Sequence, residues 1–160
     1  MPSFHISAIE LENFKCFRKQ RVELGGLTVL SGLNGMGKSS TIQALLLLRQ
    51  SISNQRLQRR LRLSGDLIDL GTGEDVLFDL ADQDTIAFVL ELGQSRRIEY
   101  RYEYSRENDR LSLMMTKHFG RTTTNKILDT DGNWVDSNSD TPRTQRATGL
   151  PALFSASGFQ

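Results

Sequence analysis

Gly32-Leu33-Asn34-Gly35-Met36-Gly37-Lys38-Ser39 is the most informative stretch of the sequence, and Ser40 follows it. It matches the pattern G-x-x-x-x-G-K-[ST] at every fixed position. Glycines let the backbone adopt positive φ, so that the loop amides can point inward as an anion-binding nest. A helix that begins near Lys38 adds unpaired amides and the positive end of its dipole. The pattern predicts a binding loop for the phosphates of a nucleoside triphosphate.

Two side chains of this loop have chemistry that suits a metal-bound triphosphate. Lys38 can bridge the β and γ oxygens, and the hydroxyl of Ser39 can bind Mg²⁺. We therefore expect ATP and Mg²⁺ as cofactors and Ser39 as a metal ligand. The predicted nucleotide-binding residues are Gly32, Leu33, Asn34, Gly35, Met36, Gly37, Lys38, Ser39 and Ser40. The alternative is a glycine turn that merely precedes a helix.

The residues on either side of the loop predict a buried strand and a buried helix. Leu27 to Ser31 is short, mostly apolar and bounded by glycines, which is typical of a central strand. From about Lys38 to Ser51, apolar residues cover much of a helical circumference, which predicts a helix buried on most sides. These apolar positions are Ile42, Leu45, Leu46 and Leu48.

A two-residue alternation predicts strands in much of the remaining chain. Ile6 to Leu11 and Arg21 to Leu24 are the first two. Later runs predict an antiparallel meander with one solvated face, and Asp131-Gly132 favours a further hairpin. The runs are Ile86 to Leu92, Ile98 to Tyr104 and Leu111 to Met115, and a polar loop follows at Ser137 to Gly149.

Length and composition set limits on the class of protein. The 160 residues suffice for one domain, and a net charge of +1 creates no overall attraction to nucleic acid or to a membrane. The single cysteine, Cys16, excludes an intramolecular disulfide. The sequence shows neither a signal peptide nor an apolar run long enough to span a membrane. We expect a cytoplasmic protein with no membrane partner.

Charge is nevertheless segregated along the chain. Residues 49 to 62 contain five arginines and no acid, whereas residues 63 to 95 contain eight acids and no lysine or arginine. The arginines predict either a solvated helix face or a basic patch for nucleic acid or an acidic partner.

The first half of the chain resembles a known class of ATPases. Ile9-Glu10-Leu11-Glu12-Asn13-Phe14-Lys15-Cys16-Phe17 and the segment from Leu27 to Ser40 are similar to the start of ABC-type ATPases of the chromosome-maintenance (SMC) and RecF class. Gln43 to Leu48 and Gly65 to Gly71 resemble bacterial RecF-like or OLD-like ATPases, which include AAA-family defence ATPases.

The resemblance implies an α/β fold, the N-terminal lobe of an ABC-type P-loop NTPase. This lobe would have a mixed sheet around a central helix and an antiparallel β-subdomain. Residues 1–62 would form the P-loop core, residues 63–136 the β-subdomain, and residues 137–160 a loop leading into a missing C-terminal half.

The resemblance also assigns roles to single residues. Asn34 matches the loop asparagine, and Lys15 stands where the class carries a basic residue that can reach the phosphates; an ordinary solvated turn lysine is the alternative. Phe14 and Phe17 could flank the base or belong to the core. Tyr100, Tyr102 and Tyr104 could likewise stack on bases or form the buried face of a strand.

The catalytic parts of that class are not found in this sequence. Such ATPases need an aspartate after an apolar strand to hold the metal, followed by a glutamate that activates water. Ile86 to Glu91 is an apolar strand ending in an acid, but it lacks this Asp-Glu pair. Leu63-Ser64-Gly65-Asp66 lacks the second glycine of a signature loop and follows the phosphate loop too closely. No catalytic residue is therefore predicted within the chain, and His5, His118 and Cys16 give no pattern of a zinc site or a nucleophile.

Two functions remain open. The first is the ATP-binding lobe of an SMC/RecF/OLD-like ATPase, which hydrolyses ATP when two heads form a homodimer and a missing C-terminal half supplies the catalytic groups. This ATPase would act in bacterial antiviral defence or DNA maintenance. The second is a nucleotide-gated clamp or sensor for DNA or a partner toxin or nuclease, without hydrolysis. A small kinase or GTPase fits less well, since the sequence lacks a base-reading Asn-Lys-x-Asp.

Overall fold

The computed structural model describes residues 5–53, 56–57, 59–93, 96–119, 124–128 and 134–136. The longer strands are β1 (Ile6–Phe14), β2 (Phe17–Glu23), β5 (Thr85–Leu92), β6 (Arg96–Ser105), β7 (Arg110–Phe119) and β8 (Thr124–Leu128). The shorter ones are β3 (Ile52–Ser53), β4 (Arg56–Leu57) and β9 (Trp134–Asp136). The helices are α1 (Lys38–Gln50) and α2 (Gly73–Val76). The predicted Asp131-Gly132 turn and residues 137–160 lie outside the described residues.

Seven of these strands form one sheet in the order β2-β1-β5-β6-β7-β8-β9. Every pairing between the described strands is antiparallel, so the mixed sheet implied by the resemblance is not seen in them. Strands β1 and β2 come from the predicted P-loop core, yet β1 pairs directly with β5 of the predicted β-subdomain. The division into these two parts stays a prediction.

The predicted meander is confirmed. Strands β5, β6 and β7 pair in sequence, and the register places Phe88 opposite Tyr100 and Tyr104 opposite Leu111. Strands β8 and β9 pair with Ile127 opposite Val135, as the predicted hairpin requires. Alternation with a period of two therefore identified strand partners correctly in this part of the chain.

The hydrophobic core lies on one face of the sheet. Ile9, Leu11, Phe88 and Tyr102 point into it and are fully buried. Phe14 packs edge-to-face on Phe88 at a centroid distance of 5.4 Å. Such aromatic pairs contribute beyond the area that they bury, so this cluster is a main source of stability.

The other face of the sheet carries an ion-pair network. Arg101 on β6 binds Glu12 on β1 at 2.9 Å and Glu99 at 3.1 Å. In the register, Ala87 of β5 lies between Glu12 and Arg101. Ala87 and its neighbour Val89 are buried, so the central strand is covered on both faces.

Helix α1 begins and ends where the sequence predicts, but it is less buried than expected. Its inward stripe comprises Thr41, Ala44, Leu47 and Leu48. Ile42 is 52% exposed, so the prediction of burial on most sides was wrong. The helix packs one face on the core, Leu45 and Leu46 are half-buried, and Ile42 faces solvent.

The predicted strand Leu27 to Ser31 is also wrong. This segment has no regular secondary structure and pairs with no described strand, and Leu27 and Val29 are 87% and 78% exposed. A short apolar run indicates that its side chains favour burial. Strand formation also needs hydrogen bonds to the backbone of a partner strand. No described strand offers that partner between β2 and α1.

Candidate phosphate-binding site

Three glycines shape the loop that precedes α1. Gly32, Gly35 and Gly37 have φ of 139°, 85° and 82°, values that side chains with a Cβ rarely adopt. Leu33, Asn34 and Met36 between them are exposed. These glycines therefore let the backbone turn sharply after residues 27–31, and the loop leads directly into α1.

Lys38 is the first residue of α1, and its side chain folds back over the loop. Its Nζ donates hydrogen bonds to the carbonyls of Gly32 at 2.8 Å and Leu33 at 2.6 Å. The ammonium is thereby held at the first two residues of the loop, and a positive point charge at a loop of this kind can bind phosphate oxygens.

The N-terminus of α1 has the character of an anion site. No side chain caps it, and its first turn contains no acid. Its amides and dipole therefore remain available to a negative ligand. Ser39 is exposed beside Lys38, whereas Ser40 is half-buried and its Oγ accepts a contact of 3.6 Å from the Sγ of Cys16.

The turn between β1 and β2 lies against this loop, a contact that no residue pattern predicts. A Cβ added to Gly37 would lie 2.1 Å from the Cζ of Phe17 and 2.8 Å from the Sγ of Cys16. The two segments are about twenty residues apart, and no spacing in the sequence indicates that they touch. Only the resemblance, which implies possible roles at the nucleotide for Lys15 and Phe17, indicates that this turn and the loop lie close together.

Lys15 lies on the same turn, in a left-handed conformation with φ of 50°. Its amide donates to the carbonyl of Val76 at 2.8 Å. The pKa of nearby Asp75 is lowered mainly by hydrogen bonds from Thr72, and the charge of Lys15 adds to this effect. Lys15 directly precedes Cys16 and lies two residues before Phe17, and both of these side chains lie close to Gly37 of the loop. The binding of Lys15 to phosphate stays a prediction.

The aromatic residues divide between core and loop. Phe14 and the row Tyr100, Tyr102 and Tyr104 are buried, so these side chains form the core rather than a stacking surface for bases. Burial raises the pKa of Tyr100 and Tyr102 above the ordinary value for tyrosine. Phe17 is partly buried and packs on both the core and the loop.

Both segments that resemble catalytic motifs lie where they have structural roles. Gly65 belongs to a tight turn closed by its amide and the carbonyl of Ile68, and Gln50 at the C-terminal end of α1 binds that turn. The thirteen-residue helix separates it from the phosphate loop by about 18 Å. Ile86 to Glu91 belongs to β5 in the middle of the sheet.

Several of the described acids are engaged by a neighbouring side chain. Wherever a shift is resolved for a carboxyl group, a partner lowers its pKa: Arg101 for Glu12, Thr72 for Asp75, Arg106 for Asp84 and Arg21 for Glu91. A general base at neutral pH needs the opposite shift. Within the described ranges, no three residues among His, Cys, Asp and Glu converge on a metal position.

No helix in the described part of the chain is long and apolar enough to cross a membrane.

A comparison with curated proteins gives no match. The model of one protein family, described as the AAA ATPase domain, matches residues 5–149. This match includes the phosphate loop, α1 and the antiparallel sheet, and it covers most of the chain. On this evidence the chain belongs to the AAA ATPase domain family.

Proposed function

We propose that residues 32–40 bind the triphosphate of ATP with Mg²⁺ and that the chain is the ATP-binding lobe of an SMC/RecF/OLD-like ATPase. The observation that carries the proposal is the position of Lys38: its ammonium binds the carbonyls of Gly32 and Leu33, in a loop with three positive-φ glycines that ends at an uncapped helix N-terminus. Membership in an ATPase family supports the choice of a nucleotide over another phosphate ligand.

The roles of the loop residues follow from their positions. The amides of Gly35, Gly37 and the first turn of α1 bind phosphate oxygens, and Lys38 moves from the two carbonyls to the β and γ oxygens. Ser39 supplies a hydroxyl to Mg²⁺, whose other ligands are phosphate oxygens and water. Lys15 adds a second positive charge from the β1–β2 turn.

Binding is tested by titrating a fluorescent ATP analogue into the protein with and without Mg²⁺. Lys38→Ala is expected to weaken binding at least tenfold, since a charge-assisted contact to phosphate contributes about 1.5–3 kcal/mol. Lys117→Ala on β7 is the matched control and leaves the affinity unchanged. Equal affinities of wild type and Lys38→Ala would contradict the proposal, and a parallel titration with a GTP analogue measures base preference.

Hydrolysis requires groups that the described residues do not supply. We propose that two heads associate around ATP through the faces that carry the phosphate loop. The exposed apolar side chains around the loop support association, because such patches mark interaction sites. They are Leu27, Val29, Leu33, Met36 and Ile42. A dimer that forms only with Mg²⁺ and ATP, measured by light scattering, is the expected result.

The second candidate is a nucleotide-gated clamp or sensor without hydrolysis. It is supported by the described acids, several of which are engaged by arginine side chains: Glu12 by Arg101, Asp84 by Arg106 and Glu91 by Arg21. Single-turnover assays with the protein in excess over ATP separate the two candidates, since a clamp retains ATP intact. A role in antiviral defence or DNA maintenance is part of the first candidate, and the exposed Arg60 and Arg62 would face a DNA or protein partner.

A further inference from the structure

The β1–β2 turn supports the phosphate loop from behind. The ring of Phe17 occupies the space that a Cβ of Gly37 would need, with Cζ and Cε1 at 2.1 Å and 2.5 Å from that position. Gly37 also precedes Lys38 and accepts the first helical hydrogen bond of α1 from the amide of Thr41 at 3.0 Å. The ring therefore touches the loop at the residue from which the helix starts.

The turn is itself held rigidly by the chain on its other side. The amide of Lys15 donates to Val76 at 2.8 Å, and the amide of Phe78 donates to Asn13 at 3.1 Å. Phe14, which pairs with Phe17 across the turn, is fully buried in the core. The ring of Phe17 is thus fixed to the sheet and cannot easily move away from Gly37.

We propose that Phe17 is a positioning residue for nucleotide binding: its ring sets how closely the start of α1 approaches the sheet, and so where the loop amides and Lys38 point. The inference rests on the proposed binding of ATP to residues 32–40. It assigns Phe17 no contact with the base or the phosphates. A binding loop loses affinity when its support is removed, even though every group that contacts the ligand remains.

The test measures the affinity of the whole chain for a fluorescent ATP analogue with Mg²⁺, together with the melting temperature. Phe17→Ala is expected to weaken binding about tenfold, and Phe17→Leu, which keeps apolar bulk, to restore affinity to within about threefold of wild type. Phe119→Ala is the control: this half-buried ring on β7 packs against Arg97, and its loss lowers stability without changing affinity.

A double-mutant cycle identifies the contact. Gly37→Ala weakens binding in the wild-type background, because its φ of 82° and the ring of Phe17 both oppose a Cβ. The same change costs less in the Phe17→Ala background, since the steric part is gone. The inference is overturned if the two effects simply add, or if Phe17→Ala and Phe119→Ala both keep wild-type affinity while Lys38→Ala loses it. Retained affinity in Lys38→Ala would instead reject the proposed function.

Discussion

The antiparallel sheet and the segment from Gly25 to Gly37 are built in opposite ways. In the sheet, β5 has a partner strand on each side and is buried on both faces. The segment from Gly25 to Gly37 pairs with no described strand, and its apolar side chains at Leu27, Val29 and Leu33 are largely exposed. The sheet is held by many contacts along its length, whereas the loop is held at its end by α1 and the β1–β2 turn.

This difference separates stability from binding. Substitutions in the sheet remove packing that the folded state needs, and they should act on the free energy of unfolding. Substitutions in the loop alter few packed side chains, and they should act on ligand affinity. The residues at which both properties meet are those of the turn, because Phe17 contacts the core and Gly37 together.

The largest effect is expected for Phe88→Ala in β5. Phe88 is fully buried and makes edge-to-face contacts with Phe14 and Tyr102. Truncation leaves a cavity and should lower the free energy of unfolding by about 3–5 kcal/mol, measured by urea denaturation. Phe88→Leu, which keeps most of the volume, should cost clearly less. Similar losses in the two variants would mean that the core adjusts around this position.

A smaller, pH-dependent effect is expected for Glu12→Gln on the polar face. The hydrogen bond from Arg101 holds the pKa of Glu12 below the ordinary value for a glutamate. The folded state therefore favours the ionised carboxylate, and this stabilisation is full above the unfolded pKa and disappears as the pH falls through the folded pKa. Glu12→Gln should lose about 1 kcal/mol at neutral pH and nothing in acid.

Chemical denaturation from neutral pH down to about pH 3 measures this difference. Glu23→Gln is the control, because Glu23 binds Arg21 at 2.8 Å but its side chain is 82% exposed. The control should change stability by less than about 0.5 kcal/mol at any pH. A loss in Glu12→Gln that does not depend on pH would show that Arg101 binds the glutamine less well for reasons of geometry rather than charge.

The smallest effect is expected for Leu27→Ser. Because this side chain is 87% exposed, its replacement should change the unfolding free energy by less than about 0.5 kcal/mol in the absence of nucleotide. The matched buried change is Leu11→Ser in β1, which should be strongly destabilising. A large loss in Leu27→Ser would show that the segment packs in solution after all and would remove the contrast with the sheet.

Local pattern predicted much of the fold and of the site. The glycine positions of the loop, the start of α1 at Lys38 and the strands of the meander all follow from rules that act over a few residues. Glycine is favoured at positive φ in any fold, and alternation has the same meaning in any sheet. These features therefore needed no knowledge of distant parts of the chain.

The sequence-based predictions were wrong where burial or strand pairing depends on another segment of the chain. Leu27 to Ser31 has the composition of a buried strand, but no described strand pairs with it. Ile42 has the same apolar character as Leu47, yet the helix turns Leu47 to the core and leaves Ile42 exposed. Apolar side chains favour burial, and the packing of the surrounding elements determines whether they are buried.

The loop motif and the alternating strands could be assigned from residue order, because backbone conformation and side-chain alternation are local properties. Residue order could not assign three contacts between distant segments. They are the support of Gly37 by Phe17, the hydrogen bond between Lys15 and Val76, and the pairing of β1 with β5. Each joins segments that are far apart in the chain. Such contacts arise only when the sheet brings its strands and turns together, since their energy depends on packing in three dimensions.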